Sequence, residues 1–157
     1  MQIKLVAVGT RMPSWVSQAY QEYAQRMPKI CQLQLQEVSA KKRGKNADTA
    51  RILRDEANAI SSTIPTGFLT IALDRKGKAI STEQLAQHMQ NWIDEAQDVA
   101  IVIGGPEGLD SNFLVSCQQT WSLSALTFAH PVVRVMLAEQ VYRAWSINAN
   151  LPYHRGD

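Results

Sequence analysis

AIVIGGPEGL, residues 100–109, runs from an uninterrupted apolar strand straight into a glycine-rich turn. A short apolar run with no alternation suits a strand covered on both faces, as parallel sheets require. A Gly-rich turn after such a strand often holds a phosphate or a nucleotide, but this one lacks the parts. A phosphate loop needs GxxxxGK[ST], whose Lys and hydroxyl reach phosphate and magnesium. The turn has neither, and Pro106 removes an amide that the dinucleotide fingerprint GxGxxG would use. No GxSxG nucleophile elbow is present either. What remains is close backbone approach beside a strand end. That suits a flat, weakly charged ligand such as a nucleoside, although a plain tight turn accounts for Gly-Gly-Pro equally well.

Outward from this stretch, strands and helices alternate. Residues 3–9 (IKLVAVG) read as a buried strand, 33–39 (LQLQEVS) as a half-exposed one and 67–74 (GFLTIALD) as a third, with 98–105 fourth and 121–127 (WSLSALT) fifth. Trp15, Val16, Ala19, Tyr20, Tyr23 and Ala24 recur at helical spacing, with Pro13 in a first turn that tolerates it. A second helix is expected over 47–61, and a third opens on a Ser81-x-x-Gln84 capping box. A short fourth has Asp110 or Ser111 as its cap. The last is expected from His130-Pro131 to about Ala149. Apolar residues occupy nearly every face of it, leaving Arg134, Glu139, Gln140, Arg143 and Ser146 polar. Such a helix must be covered on more than one side, which in a domain this small implies core on one side and a second copy of the chain on the other. The βαβα order predicts a parallel α/β sheet of about five strands in one domain, with ligands beyond the carboxyl ends of the strands. Leu73, Asp74 and the 104–108 turn share that edge.

At 157 residues with 45% apolar and 19% charged side chains, the composition is that of an ordinary globular domain rather than a fibrous or disordered one. No apolar segment approaches the ~20 residues of a membrane span, and the start reads as a strand rather than a signal peptide, so a cytoplasmic location is expected. Cys31 and Cys117 fit no zinc or redox spacing and read as reduced thiols. His88, His130 and His154 show no paired-ligand spacing, so no metal is expected.

The net charge is only +2, so the placement of cations carries the information. Lys41, Lys42, Arg43 and Lys45 crowd one loop just ahead of a helix N-terminus, an anion site by charge and helix dipole unless it is merely solvated surface. Arg51, Arg54, Arg75, Lys76 and Lys78 add to a reading of phosphate-backbone contact. The end of the chain, NANLPYHRGD, carries Tyr153, His154 and Arg155 where a frayed polar tail is the usual expectation. Histidine can exchange a proton near neutrality, tyrosine can stack, and arginine can grip phosphate. Glu139 and Arg143 have the spacing of an ordinary helix-surface pair. His130 could simply cap its helix. Glu107 could be a turn carboxylate, a helix cap or a substrate contact.

LVAVGTRMPSWV, KRGKNAD, IGGPEG, WSLSALT, HPVVRV and YRAWSINANLPYHR together span essentially the whole chain. In this order they resemble the RlmH family, SPOUT-class methyltransferases of 23S ribosomal RNA. The tail departs from the family by running two residues past His154-Arg155, to Gly156-Asp157. The resemblance implies a SPOUT α/β-knot: a mostly parallel sheet of five to six strands flanked by helices, with a C-terminal trefoil knot that periodicity could not indicate. It implies S-adenosylmethionine as methyl donor, held by Leu73, Gly105, Leu123, Ser124, Ala125, Leu126, Thr127 and Phe128. It further implies methylation of N3 of a pseudouridine on the assembled ribosome by a homodimer, joined through the last helix, with the partner's tail completing each site. On that footing His154 is the expected base or proton relay and Tyr153 positions the uracil-like ring. Arg143 and Arg155 would hold phosphate beside Lys41, Lys42, Arg43 and Lys45. A non-enzymatic ribosome- or RNA-binding protein using the same basic loop is the alternative. A flavodoxin-like nucleotide-binding domain is weaker, because no phosphate-cradling loop follows the first strand.

Overall fold

The computed structural model describes residues 1–155; Gly156 and Asp157 lie outside it. Strands β1 (Gln2–Val8), β2 (Gln32–Val38), β3 (Leu69–Ala79), β4 (Val99–Ile103) and β5 (Gln119–Ser122) form one all-parallel sheet in the order β2-β1-β4-β3-β5. Between them lie α1 (Ser14–Ala24), α2 (Thr49–Thr63), α3 (Thr82–Asp94) and α4 (Ser111–Ser116); α5 (His130–Asn148) and a 3-10 turn (Pro152–Arg155) follow. The opening stretch supplies β4, the middle strand, in which every residue is buried. Its side chains alternate between two cores. Val99, Ile101 and Ile103 join Ile3, Leu5 and Ala7 beneath α1, α3 and α5, through Tyr20, Met89, Leu137 and Val141 among others. Ala100 and Val102 join Val6 and Val8 beneath α2 and α4, through Ile60 and Phe113. Burial on both faces is why this strand is apolar without alternation. β2, at the sheet edge, exposes Gln32 and Gln34 while burying Leu33, as its alternating sequence predicts.

Local chemistry sets the element ends. The Asp48 carboxylate accepts from the Arg51 N–H at the start of α2. Ser81 and Gln84 complete a capping box on α3, and Asp110, not Ser111, caps α4 through the Phe113 N–H. Two elements differ from expectation. β3 continues to Ala79 past an irregularity at which Leu73 and Lys78 both face Trp121. This needs Gly77, where a Cβ would lie 2.6 Å from the Trp121 carbonyl carbon. β5 is shorter than residues 121–127, because the chain leaves the ladder after Ser122. There the Ser122 hydroxyl donates to Ser124 O, and the Leu126 N–H donates to the Ser124 hydroxyl. Side-chain bonds of this kind compete with sheet pairing.

Residues 123–129 therefore double back from the sheet edge toward the end of β4, where His130 begins α5. α5 packs against both α1 and α3. Among the described residues, no helix is long and apolar enough to cross a membrane.

Candidate active site

The doubling-back segment roofs a cleft of about 540 Å³ at the carboxyl ends of β3 and β4, within the usual range for a small-molecule site. Of the residues that the resemblance assigns to the donor, Leu73, Gly105, Leu123, Ser124, Leu126, Thr127 and Phe128 line it; Ala125 does not. Asp74, which the sequence reading placed on the same ligand edge, lines it as well, as do Arg75, Trp121 and His130, which that reading did not assign to the ligand.

The glycine turn is a wall made of backbone. The Gly108 N–H donates to Gly105 O at 3.0 Å, and Gly108 has the left-handed φ of 82° that favours glycine. A Cβ on Gly104 would stand 2.6 Å from Gly108 O, so the turn closes only over glycine. Apolar walls from Leu73, Leu123 and Phe128, with the hydroxyls of Ser124 and Thr127 beside the turn, suit an adenosyl moiety. Among the described residues no lysine lines the cleft, and the turn lacks the Lys and the Ser or Thr that a phosphate loop uses.

Behind the turn, His130 does more than begin a helix. Its Nδ1 lies 3.0 Å from Gly104 O, and its Nε2 accepts from Arg134 Nε at 2.8 Å. Since Nε2 accepts, Nδ1 carries the proton and donates to Gly104, which makes the imidazole neutral. Burial, then the Arg134 charge, push its pKa below the ordinary histidine value. Arg134 is 1% exposed and also donates to Glu37 Oε2 at 2.6 Å and to Gly9 O at 2.7 Å. One buried guanidinium thus joins the ends of β1 and β2 and, through His130, that of β4 to α5.

The basic loop is held by a second clamp. Arg43 forms a two-pronged pair with Glu56, both bonds 3.0 Å, while its Nε donates to Glu107 Oε2 at 2.5 Å and Nη1 to Lys41 O at 2.8 Å. Glu56 is 2% exposed and also accepts the Lys41 N–H. Hydrogen bonding to Glu56, and secondarily to Glu107, raises the Arg43 pKa further above its ordinary value. Most of Arg43's donors are engaged within the chain, whereas Lys41, Lys42 and Lys45 project into solvent. Of the three roles left open for Glu107, the helix cap belongs to Asp110 instead; Glu107 is a turn carboxylate bonded to Arg43 that also lines the cleft. The available signal for the buried Glu56 was its place on the apolar stripe of Ile52, Ala57 and Ile60.

The tail folds back on α5 rather than fraying. The Tyr153 hydroxyl donates to Glu139 Oε1 at 3.0 Å, and its ring packs edge-on to Tyr142 with centroids 4.8 Å apart. Arg143 lies 5.0 Å over the same ring and pairs with Glu139 at 2.6 Å. Burial, then the bonds with Tyr23 and Glu139, raise the Tyr153 pKa, so the phenol stays protonated. Within one chain none of Arg143, Tyr153, His154 and Arg155 lines the cleft. Nine residues of helix, about 14 Å, separate His130 from the Glu139 that holds Tyr153. His154 Nδ1 is buried with no hydrogen-bond partner among the described residues, and Arg155 is exposed.

The family model described as Predicted SPOUT methyltransferase matches residues 1–154. The chain is 52% identical over 155 residues, 99% of both chains, to the Ribosomal RNA large subunit methyltransferase H of Thioalkalivibrio sulfidiphilus (strain HL-EbGR7). Among solved structures, a probable methylase family protein from Haemophilus influenzae Rd KW20 superposes with a TM-score of 0.62 at 16% identity, covering 96% of this chain and 69% of that one, a likeness of fold alone. With a strand-end cleft walled by backbone and a match along its whole length, the chain belongs to the RlmH family of SPOUT methyltransferases.

Proposed function

We propose that this chain is the enzyme that methylates N3 of a pseudouridine in 23S ribosomal RNA, using S-adenosylmethionine, on the assembled ribosome in the cytoplasm. The observation that carries the reading is the cleft itself, where residues as far apart in the sequence as Leu73 and Val133 converge around a backbone turn built only from glycine and proline at its tight points.

The donor supplies a methyl carbon made electrophilic by its sulfonium. Transfer breaks one C–S bond, forms one C–N bond and releases the N3 proton. Leu73, Leu123 and Phe128 exclude water around the reacting atoms, while the 104–108 turn and the Ser124 and Thr127 hydroxyls orient the adenosyl end. Alignment of this kind supplies about 7–11 kcal/mol of barrier reduction, and a positioned base adds about 10²–10⁴-fold. His154 takes the N3 proton and the protonated Tyr153 positions the ring. Because one chain's tail is bound away from its own cleft, these groups come from the partner subunit, in a homodimer joined along α5. The exposed Trp15 and Val132, on α1 and α5, support an apolar contact there. Arg143 holds Tyr153 in place, and Arg155 joins Lys41, Lys42 and Lys45 on phosphate. A threaded C-terminal knot accords with residues 123–129 turning back over the strand ends to reach α5.

Mapping modified nucleotides in ribosomes from a strain lacking this protein, before and after incubation with it and the donor, tests the reading. A single methyl restored on a pseudouridine is expected. Ribosome binding with no donor affinity by calorimetry would instead identify a non-enzymatic RNA-binding protein.

A further inference from the structure

Arg43 touches both parts of the machinery. Its guanidinium backs the glycine turn: a Cβ on Gly105 would meet Arg43 Nη2 at 3.1 Å, and Glu107 of the same turn is bonded to Arg43 Nε. The same fork is anchored on the buried Glu56, which also receives the Lys41 N–H, while Arg43 Nη1 holds Lys41 O. Among the described residues no ion pair engages Lys41, Lys42 or Lys45, so Arg43 is the cation through which that loop is tied down. A planar guanidinium with charge-assisted bonds on both sides transmits displacement in a way that a flexible lysine would not.

We propose that Arg43 is a positioning residue that joins the cleft's glycine turn and the basic loop into one unit, so that a donor pressed against Gly105 holds the loop in its RNA-facing arrangement. The proposal rests on the donor-binding reading above. By linkage, RNA on the loop then strengthens donor binding by the factor by which donor strengthens RNA binding.

Limited trypsin digestion of the full chain, with fragments quantified by mass, tests it. Saturating S-adenosylmethionine is expected to slow cleavage after Lys41, Lys42 and Lys45 at least about fivefold, the low end of ordinary coupling. In Glu107→Ala, whose side chain is exposed and whose loss leaves the Arg43–Glu56 pair intact, donor saturation judged from the variant's own calorimetric Kd is expected to give no such protection. Arg43→Lys is expected to behave alike. Protection in Glu107→Ala equal to that of the parent, or no protection of the parent at saturation, overturns the proposal. Absence of any donor binding to the parent overturns the donor reading itself, so the two failures are told apart.

Discussion

At the scale of the residue, the chemistry concentrates on positions whose neighbours leave them no alternative. Arg134 is a cation with a carboxylate, a carbonyl and an imidazole around it. Arg134→Leu strands all three, and equilibrium urea unfolding is expected to show a loss of about 3 kcal/mol, toward the low end for a broken buried pair because Glu37 keeps some solvent. His130 carries a pH dependence of definite sign. Its folded pKa lies below the unfolded value near 6.5, so the unfolded chain takes up the proton first as pH falls. The stabilisation is complete above about pH 6.5 and declines below it. His88, lowered by burial and by Lys78, contributes with the same sign. His130→Asn keeps a donor for Gly104 O without a titrating ring. Its unfolding free energy is therefore expected to fall less steeply between pH 7 and pH 5 than that of the parent chain. In the cleft, Gly104→Ala forces a Cβ onto Gly108 O. Calorimetry is expected to show donor affinity reduced by about tenfold or more, since 1.4 kcal/mol of turn strain suffices for that.

At the scale of the element, much was legible before any fold was known. The period-2 alternation of β2, the apolar run of β4 and the Ser81–Gln84 box each express a local rule, and each element formed where its rule places it. Replacing Ser81 by alanine is expected to cost about 1 kcal/mol in thermal or urea unfolding, the ordinary value of such a cap. The strand ends were less legible. A sequence window does not reveal that Gly77 must lie against the backbone of β5, forty-odd residues on, nor that serine hydroxyls will end β5 at Ser122. Both features shape the cleft: the first keeps β3 alongside β5, and the second releases residues 123–129 to roof it.

At the scale of the whole molecule, the proposed homodimer divides each site between two chains. A cleft at one end of α5 and a tail tied to its middle are the ground for the proposal that each site is completed in trans. Mixing a cleft-blocked Gly105→Trp chain with a His154→Ala chain, each inactive alone, is expected to restore methylation of ribosomes in the mixed dimers; no recovery would place the tail's role within one chain. The amino-acid sequence by itself determined the alternating α/β architecture, the central strand, the caps and the strand-end edge that carries Leu73 and the 104–108 turn, because periodicity, capping and turn chemistry act over a few neighbouring residues; the remaining cleft residues came from the family resemblance. Only the tertiary structure decided that Arg134 and Glu56 are buried ionic anchors, that Arg43 braces the turn as well as belonging to a basic loop, and that Tyr153 and His154 sit away from their own cleft. Those outcomes depend on which distant groups meet, and a charge's partner across the fold leaves no periodic trace along the chain.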